Sequence, residues 1–283
     1  MFRFVAASRA IREVVPGEFL PVVWFVTLLG GSTFLMTGLS VAYWNANERR
    51  ETVLAVVATA FVALAVTLSL KWGIGLPRPP ETAQRYVTTD SPVGFPSGHT
   101  IAATVVYGGG LVATDRHRTP EIALPVGALV GAVGLSRVVL GVHYLGDVLT
   151  GLGVGVALLG VLAFALRRGA AVAFGLAAVC AVPALFVAGD AGDVALALGG
   201  SLGGFLGTVR RPPDDTLDSH TERAILTVGG LLFLGGLVGG VEVVEPPLVL
   251  AGSAYVLLVF GIVTLPALVG RWGVLAFLSP ANE

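Results

Sequence analysis

Three short stretches hold side chains that packing alone does not ask for. Ser136-Arg137-Val138-Val139-Leu140-Gly141-Val142-His143-Tyr144-Leu145-Gly146-Asp147 lies between two apolar runs, where each ionisable group is costly and calls for a reason. Arg137 is a permanent cation whose planar fork of donors suits phosphate oxygens. His143 can act as nucleophile or base near neutral pH. Asp147 follows it by four residues, so on a helix the carboxylate shares the histidine's face and can hold one ring nitrogen while the other faces a substrate. A helix-end arginine and a satisfied His–Asp pair would account for this stretch equally well if it stood alone.

Upstream, Lys71-Trp72-Gly73-Ile74-Gly75-Leu76-Pro77-Arg78-Pro79 sets two cations at the ends of a Gly- and Pro-rich turn. Lys and Trp are also common interfacial anchors. Phe95-Pro96-Ser97-Gly98-His99 then opens an apolar run. Ser97 reads as a helix start, Gly98 lets backbone N–H groups approach a ligand, and the dipole end of the helix favours an anion. His99, in the first turn, can give a proton to a departing oxygen. A plain N-cap beside an interfacial histidine is the alternative.

The elements that must position these residues are membrane helices. The chain has 283 residues, 55% hydrophobic and 12% charged, with 39 glycines. A soluble domain carries roughly 25% charge. Long apolar runs at 19–47, 52–70, 100–114, 122–136, 148–166, 169–189, 194–209, 224–241 and 246–270 predict an all-α polytopic transmembrane bundle of about nine spans. Residues 1–18 mix Arg3, Arg9 and Arg12 with apolar residues and read as an amphipathic helix on the membrane surface. The formal net charge of −1 points to no nucleic-acid partner, and Cys180, the only cysteine, supports neither a disulfide nor a Cys-based metal site. Arginine distribution places Arg49, Arg50, Arg116, Arg118, Arg167, Arg168, Arg210, Arg211, Arg223 and Arg271 in the cytoplasm and the three motifs outside, at a cell membrane. The three N-terminal arginines run against that rule.

Taken together, Lys71–Pro79, Pro96–His99 and Ser136–Asp147 resemble the three-part signature of the type 2 phosphatidic acid phosphatases, a superfamily that also includes bacterial acid phosphatases and vanadium haloperoxidases. The match is complete at the signature positions and covers roughly residues 20–190. The resemblance implies a six-helix phosphatase core, attack of His143 on phosphorus to form a phosphohistidine, orientation of His143 by Asp147, and protonation of the leaving group by His99. It implies that Lys71, Arg78, Ser97, Gly98 and Arg137 hold the phosphate oxygens, with no metal and no cofactor. The expected activity is hydrolysis of a membrane lipid phosphate or diphosphate: phosphatidic acid, phosphatidylglycerophosphate or polyprenyl diphosphate. A lipid phosphotransferase on the same site, or a non-catalytic phospholipid-binding or transport protein, are the alternatives.

This reading divides the chain into an interfacial segment 1–18, a core 19–189 and a three-helix extension 190–283. The extension carries Gly199, Gly200, Gly203 and Gly204, then Gly235, Gly236, Gly239 and Gly240. Small residues at four-residue spacing let helices pack closely in lipid, within the chain or in a homo-oligomer. Asp214, Asp215 and Asp218 have the spacing of a prenyl-transferase diphosphate motif, but the second acidic cluster such a site needs is missing, and a solvated loop is the simpler reading.

Overall fold

The computed structural model describes residues 3–86, 91–188, 191–211, 217 and 219–272. Asp214, Asp215 and Asp218 lie outside the described residues. The described chain is helical, with one isolated bridge between Pro77 and Val93 and no strand. In order, the helices are α1 (Val5–Val14), α2 (Leu20–Leu28), α3 (Ser32–Asn45), α4 (Arg50–Ile74), α5 (Gly98–Ala103), α6 (Gly109–Ala113), α7 (Pro120–Val139), α8 (Leu145–Arg168), α9 (Ala170–Ala181), α10 (Ala184–Val187), α11 (Ala191–Arg210), α12 (His220–Val244) and α13 (Leu248–Trp272). Thr104–Gly108 between α5 and α6 is a π-helical turn.

Among the described residues seven helices are long and apolar enough to cross a membrane, and the pair Gly17–Leu28 and Ser32–Asn45, bent by 47°, makes an eighth if it counts as one span. The ninth expected span corrects to something shorter. Its run folds as α5, the π turn and α6, which together fall short of the ~20 residues a bilayer crossing usually needs. It still runs the length of the bundle, antiparallel to α4. A Cβ on Gly98 would meet Thr67, and one on Gly109 would meet Val56.

Helix α4 is the axis of the bundle and packs on α3, α5, α8, α9 and α11. Its Phe61 ring stacks at a tilt against Phe174 of α9, with centroids 5.8 Å apart. The glycines of α11 make that packing possible. Gly200 and Gly204 receive the Phe61 and Phe174 rings, while Gly199 and Gly203 let the α13 backbone approach, since a Cβ at either would collide with the carbonyl of Gly252 or Val256. These glycines are therefore spent inside the chain. A Cβ on Gly235, Gly236, Gly239 or Gly240 of α12 would meet nothing within 4 Å among the described residues.

The far end of the bundle is locked by polar bonds. Pro266 inside α13 has no N–H to give to the Ile262 carbonyl four residues back. The buried indole Nε1 of Trp44 donates to that carbonyl at 3.0 Å, and Tyr43 Oη donates to Val263 O at 2.9 Å. Arg211, just past α11, pairs with Glu51 in the first turn of α4.

Candidate active site

Four helix ends meet where the three motifs converge. Gly75 closes α4 in the left-handed conformation, φ +67°, and turns the chain toward Arg78. The Pro77–Val93 bridge, with Arg78 N donating to Pro92 O at 3.1 Å and Gly94 N to Leu76 O at 2.8 Å, pins that turn against the stretch leading into α5. Ser97 N donates to Asp147 O at 3.1 Å, so the start of α5 is tied to the start of α8. The chain leaves α7 through a reversal in which Val142 N and His143 N both approach Arg137 O, at 3.2 and 3.3 Å. Gly141 sits at its apex with φ +77°, and a Cβ there would collide with the Ala83 carbonyl.

This turn brings Arg137, His143 and Asp147 together with Arg78. His143 is 1% exposed. Arg78 Nη1 lies 3.3 Å from His143 Nε2. A guanidinium can only donate, so that contact requires a lone pair on Nε2 and puts the ring proton on Nδ1. Nδ1 faces Asp147 Oδ2 at 3.6 Å and has no closer partner. Burial is the largest influence on the imidazole, with Arg137, Arg78 and Lys71 adding to it against the pull of Asp147, and together they hold its pKa down at about 3. His143 is thus a neutral base at physiological pH with its electron pair on Nε2, where Arg78 meets it. Arg78 also donates to Ser91 O at 2.7 Å and Val142 O at 3.0 Å. Burial brings its pKa to about 10, so it remains a cation at neutral pH.

His143 lines a cavity of about 270 Å³. Lys71, Arg78, Arg137, Gly98, His99 and His143 line its polar end. Leu35, Met36 and Leu39 of α3 and Phe61, Leu64 and Leu68 of α4 line the rest. Seven of the eight expected site residues either line this cavity or, for Asp147, stand directly behind His143. Ser97 is the exception. It is fully buried beneath the cavity, accepts a hydrogen bond from Thr100 Oγ1 at 3.0 Å, and serves to start α5. A Cβ on Gly98 would be tight, 3.1 Å from Thr67 Cγ2 and 3.9 Å from Lys71 Nζ. Among the described residues no three of His, Cys, Asp and Glu gather as metal ligands would.

The structure adds residues that the motifs do not contain. Thr27 Oγ1 accepts from Arg137 Nη1 at 2.8 Å and fixes the guanidinium from α2. The break between α2 and α3 falls on Gly30 and Gly31, whose bare backbone faces His99. Asp193 and Leu196 of α11 complete the cavity wall. Arg3 donates Nε to Asp147 Oδ1 and Nη2 to Oδ2, both at 2.8 Å. Gly30 and Gly31 lie inside the single apolar run 19–47, so hydropathy alone gives no signal of the break. Nothing in the sequence pattern links Arg3 to a residue 144 positions away.

The sequence profile of the PAP2 superfamily matches residues 52–183, a stretch that holds every motif residue named above. Over that stretch, a little under half of its length, the chain is similar to the PAP2 superfamily. Among curated proteins, decaprenylphosphoryl-5-phosphoribose phosphatase of Mycobacterium tuberculosis is 38% identical over 112 residues, covering 38% of this chain and 58% of the relative. The protein of that name in Mycolicibacterium smegmatis is 40% identical over 105 residues, covering 36% and 54%. The chain therefore spans somewhat over half the length of the curated relatives it matches. No solved structure matches it. Around the PAP2 stretch this chain sets α1 to α3 on one side and α11 to α13 on the other, and both sets reach the site.

Proposed function

We propose that this chain is a membrane phosphatase acting on a phosphorylated lipid. The observation that carries the reading is a buried His143 that lines one cavity together with Lys71, Arg78 and Arg137 and with apolar side chains of α3 and α4. The phosphate sits among the three cations and the amides at the start of α5, and the lipid tail lies among the α3 and α4 side chains. His143 Nε2 attacks phosphorus while the bond to the leaving oxygen breaks, and that oxygen takes a proton from His99. The dianionic phosphate supplies the negative charge that lets His99 hold its proton beside three cations. The new imidazolium is positive, with Nδ1–H directed at Asp147. Water then attacks phosphorus with His99 as base, the P–N bond breaks, and inorganic phosphate leaves with His143 restored. The cations act where negative charge develops and require no metal for that.

The names of the two relatives favour one substrate class for this chain, a polyprenyl-phosphate-linked sugar that carries a second phosphate on the sugar. The test is phosphate release by purified protein from phosphatidic acid, phosphatidylglycerophosphate, polyprenyl diphosphate and a lipid-linked sugar phosphate, all in EDTA. Release is expected with EDTA present, greatest on the lipid-linked sugar phosphate, and lower by several orders of magnitude in His143→Ala. Activity that disappears on chelation and returns with magnesium would overturn the mechanism. Near-wild-type turnover by His143→Ala would remove His143 as the nucleophile.

A further inference from the structure

The residues before α1 and the helix itself, read from the sequence as an interfacial segment, make contacts with the motif end of the bundle. The first backbone amides of α8 have no partner within their own helix. Gly146 N donates to Arg3 O at 3.2 Å, and Leu145 N to Ser8 Oγ at 2.8 Å. Ser8 is fully buried. On the other flank of α1, Arg85 Nη1 donates to Arg12 O at 3.0 Å and Val15 O at 2.7 Å. The N-terminal segment thus caps the helix that carries Asp147.

Arg3 itself joins two of the motifs. Its Nη1 donates to Pro77 O at 2.9 Å, in the turn that presents Arg78. Its guanidinium lies over the Tyr144 ring, 4.4 Å from the centroid. Its remaining donors take both oxygens of Asp147 in a bidentate pair. Asp147 Oδ2 also accepts from Tyr144 N at 2.9 Å. His143, by contrast, stands 3.6 Å from the same oxygen. The plane of the carboxylate is therefore set by the arginine fork and one backbone amide, and the imidazole turns toward a carboxylate already in place.

We infer that Arg3 is a positioning residue of this site, clamping Asp147 so that its Oδ2 faces His143 Nδ1. The inference rests on the phosphatase reading above. Arg3 touches neither the cavity nor the phosphate; it acts through Asp147. Without it the buried carboxylate loses two charge-assisted hydrogen bonds and can rotate, and the imidazolium that forms on attack is met by a misplaced charge.

The test is a kinetic cycle on the full chain with Arg3→Gln, Arg3→Lys, Asp147→Asn, each Arg3 variant combined with Asp147→Asn, and Ser8→Ala. Ser8→Ala loosens the docking of α1 without touching the carboxylate. Arg3→Gln should lower kcat by about 10- to 100-fold, the loss usual for partners that orient an active group. KM should stay within a few-fold, because Lys71, Arg78 and Arg137 are untouched. Arg3→Lys should recover part of kcat by restoring the charge without the fork. In the Asp147→Asn background the Arg3 changes should cost little more, since an effect relayed through a missing carboxylate is not paid twice. If Arg3→Gln does not fold, Arg3→Lys alone and in the Asp147→Asn background carries the same test. Wild-type kcat in the Arg3 variants would overturn the inference. So would a full additive cost on Asp147→Asn, or a kcat loss that Ser8→Ala reproduces. Wild-type protein that releases no phosphate would fail the phosphatase reading instead, which separates the two failures.

Discussion

His143 is an imidazole enclosed by cations, and that has a consequence for stability as well as for chemistry. In the unfolded chain it takes up a proton near its ordinary value of about 6.5. In the folded site it refuses one down to about pH 3. Between those values the unfolded state binds more protons, so stability falls as the pH drops below 6.5, and above that value the residue imposes no penalty. The thermal midpoint of the wild-type protein in detergent should therefore fall between pH 7 and pH 5 by more than that of His143→Gln. The other titrating groups are common to both proteins, so the difference isolates this residue, and equal falls would mean that His143 is not held neutral. At this scale the sequence was highly legible. Lysine, arginine, histidine and aspartate are expensive beside apolar runs, and those retained there turned out to converge. The partners that hold them were not legible. Thr27 looks like any threonine in a helix, and Arg3 looks like a basic residue of a surface helix. Their roles come from tertiary contacts that leave no periodic trace.

Short irregular segments between the helices do most of the positioning, and Gly141 is the clearest case. It joins Arg137 to His143 in a conformation that other residues enter at a cost of roughly 1–2 kcal/mol, and the Ala83 carbonyl occupies the place of a side chain. Gly141→Ala should displace the turn or push the 80–85 segment away, in either case moving His143 relative to Arg78. Misplacement of about 1 Å can cost about 10²-fold in rate. A fall in kcat of that order, with a lowered thermal midpoint, is the expected result; unchanged kinetics would show that the turn tolerates the shift. The helices themselves were readable from hydropathy because every run of that length in lipid must satisfy its own backbone. The breaks were not. The 47° bend at Gly30 and Gly31 and the π turn at Thr104–Gly108 depend on what lies opposite: His99 for the first, and for the second the Leu29 carbonyl, which accepts from Tyr107 Oη at 2.7 Å.

Across the molecule, two of the three N-terminal arginines that ran against the charge rule have carboxylate partners. Arg3 pairs with Asp147, and Arg9 pairs with Glu13 at 2.7 Å. The arginines of the other loops still outnumber these three, so we hold to the proposal that the motif end faces outside. In a Cys180→Ala background, a cysteine at Glu81 should react with an impermeant thiol reagent added to intact cells, and one at Asp115 only after the membrane is opened. Labelling of both from the same side would refute the orientation.

The C-terminal helices carry no motif, yet they contribute to the same structure. Leu196 and Asp193 of α11 face the cavity, α11 packs on α4 and α9, and α13 holds the carbonyls that satisfy Trp44 and Tyr43. A chain ending at Ala188 would take away the carbonyl that the Trp44 indole donates to, at a cost of about 1–3 kcal/mol, and would open one wall of the cavity to lipid. Its thermal midpoint should fall. Its kcat/KM should fall more for a long-chain lipid phosphate than for a short-chain ester, because the lost wall faces the tail and the cations that hold phosphate remain. The measurement is the ratio of the two kcat/KM values in truncated and full-length protein, on the monodisperse fraction only. An unchanged ratio would confine α11 to a supporting role and place tail recognition wholly within α3 and α4.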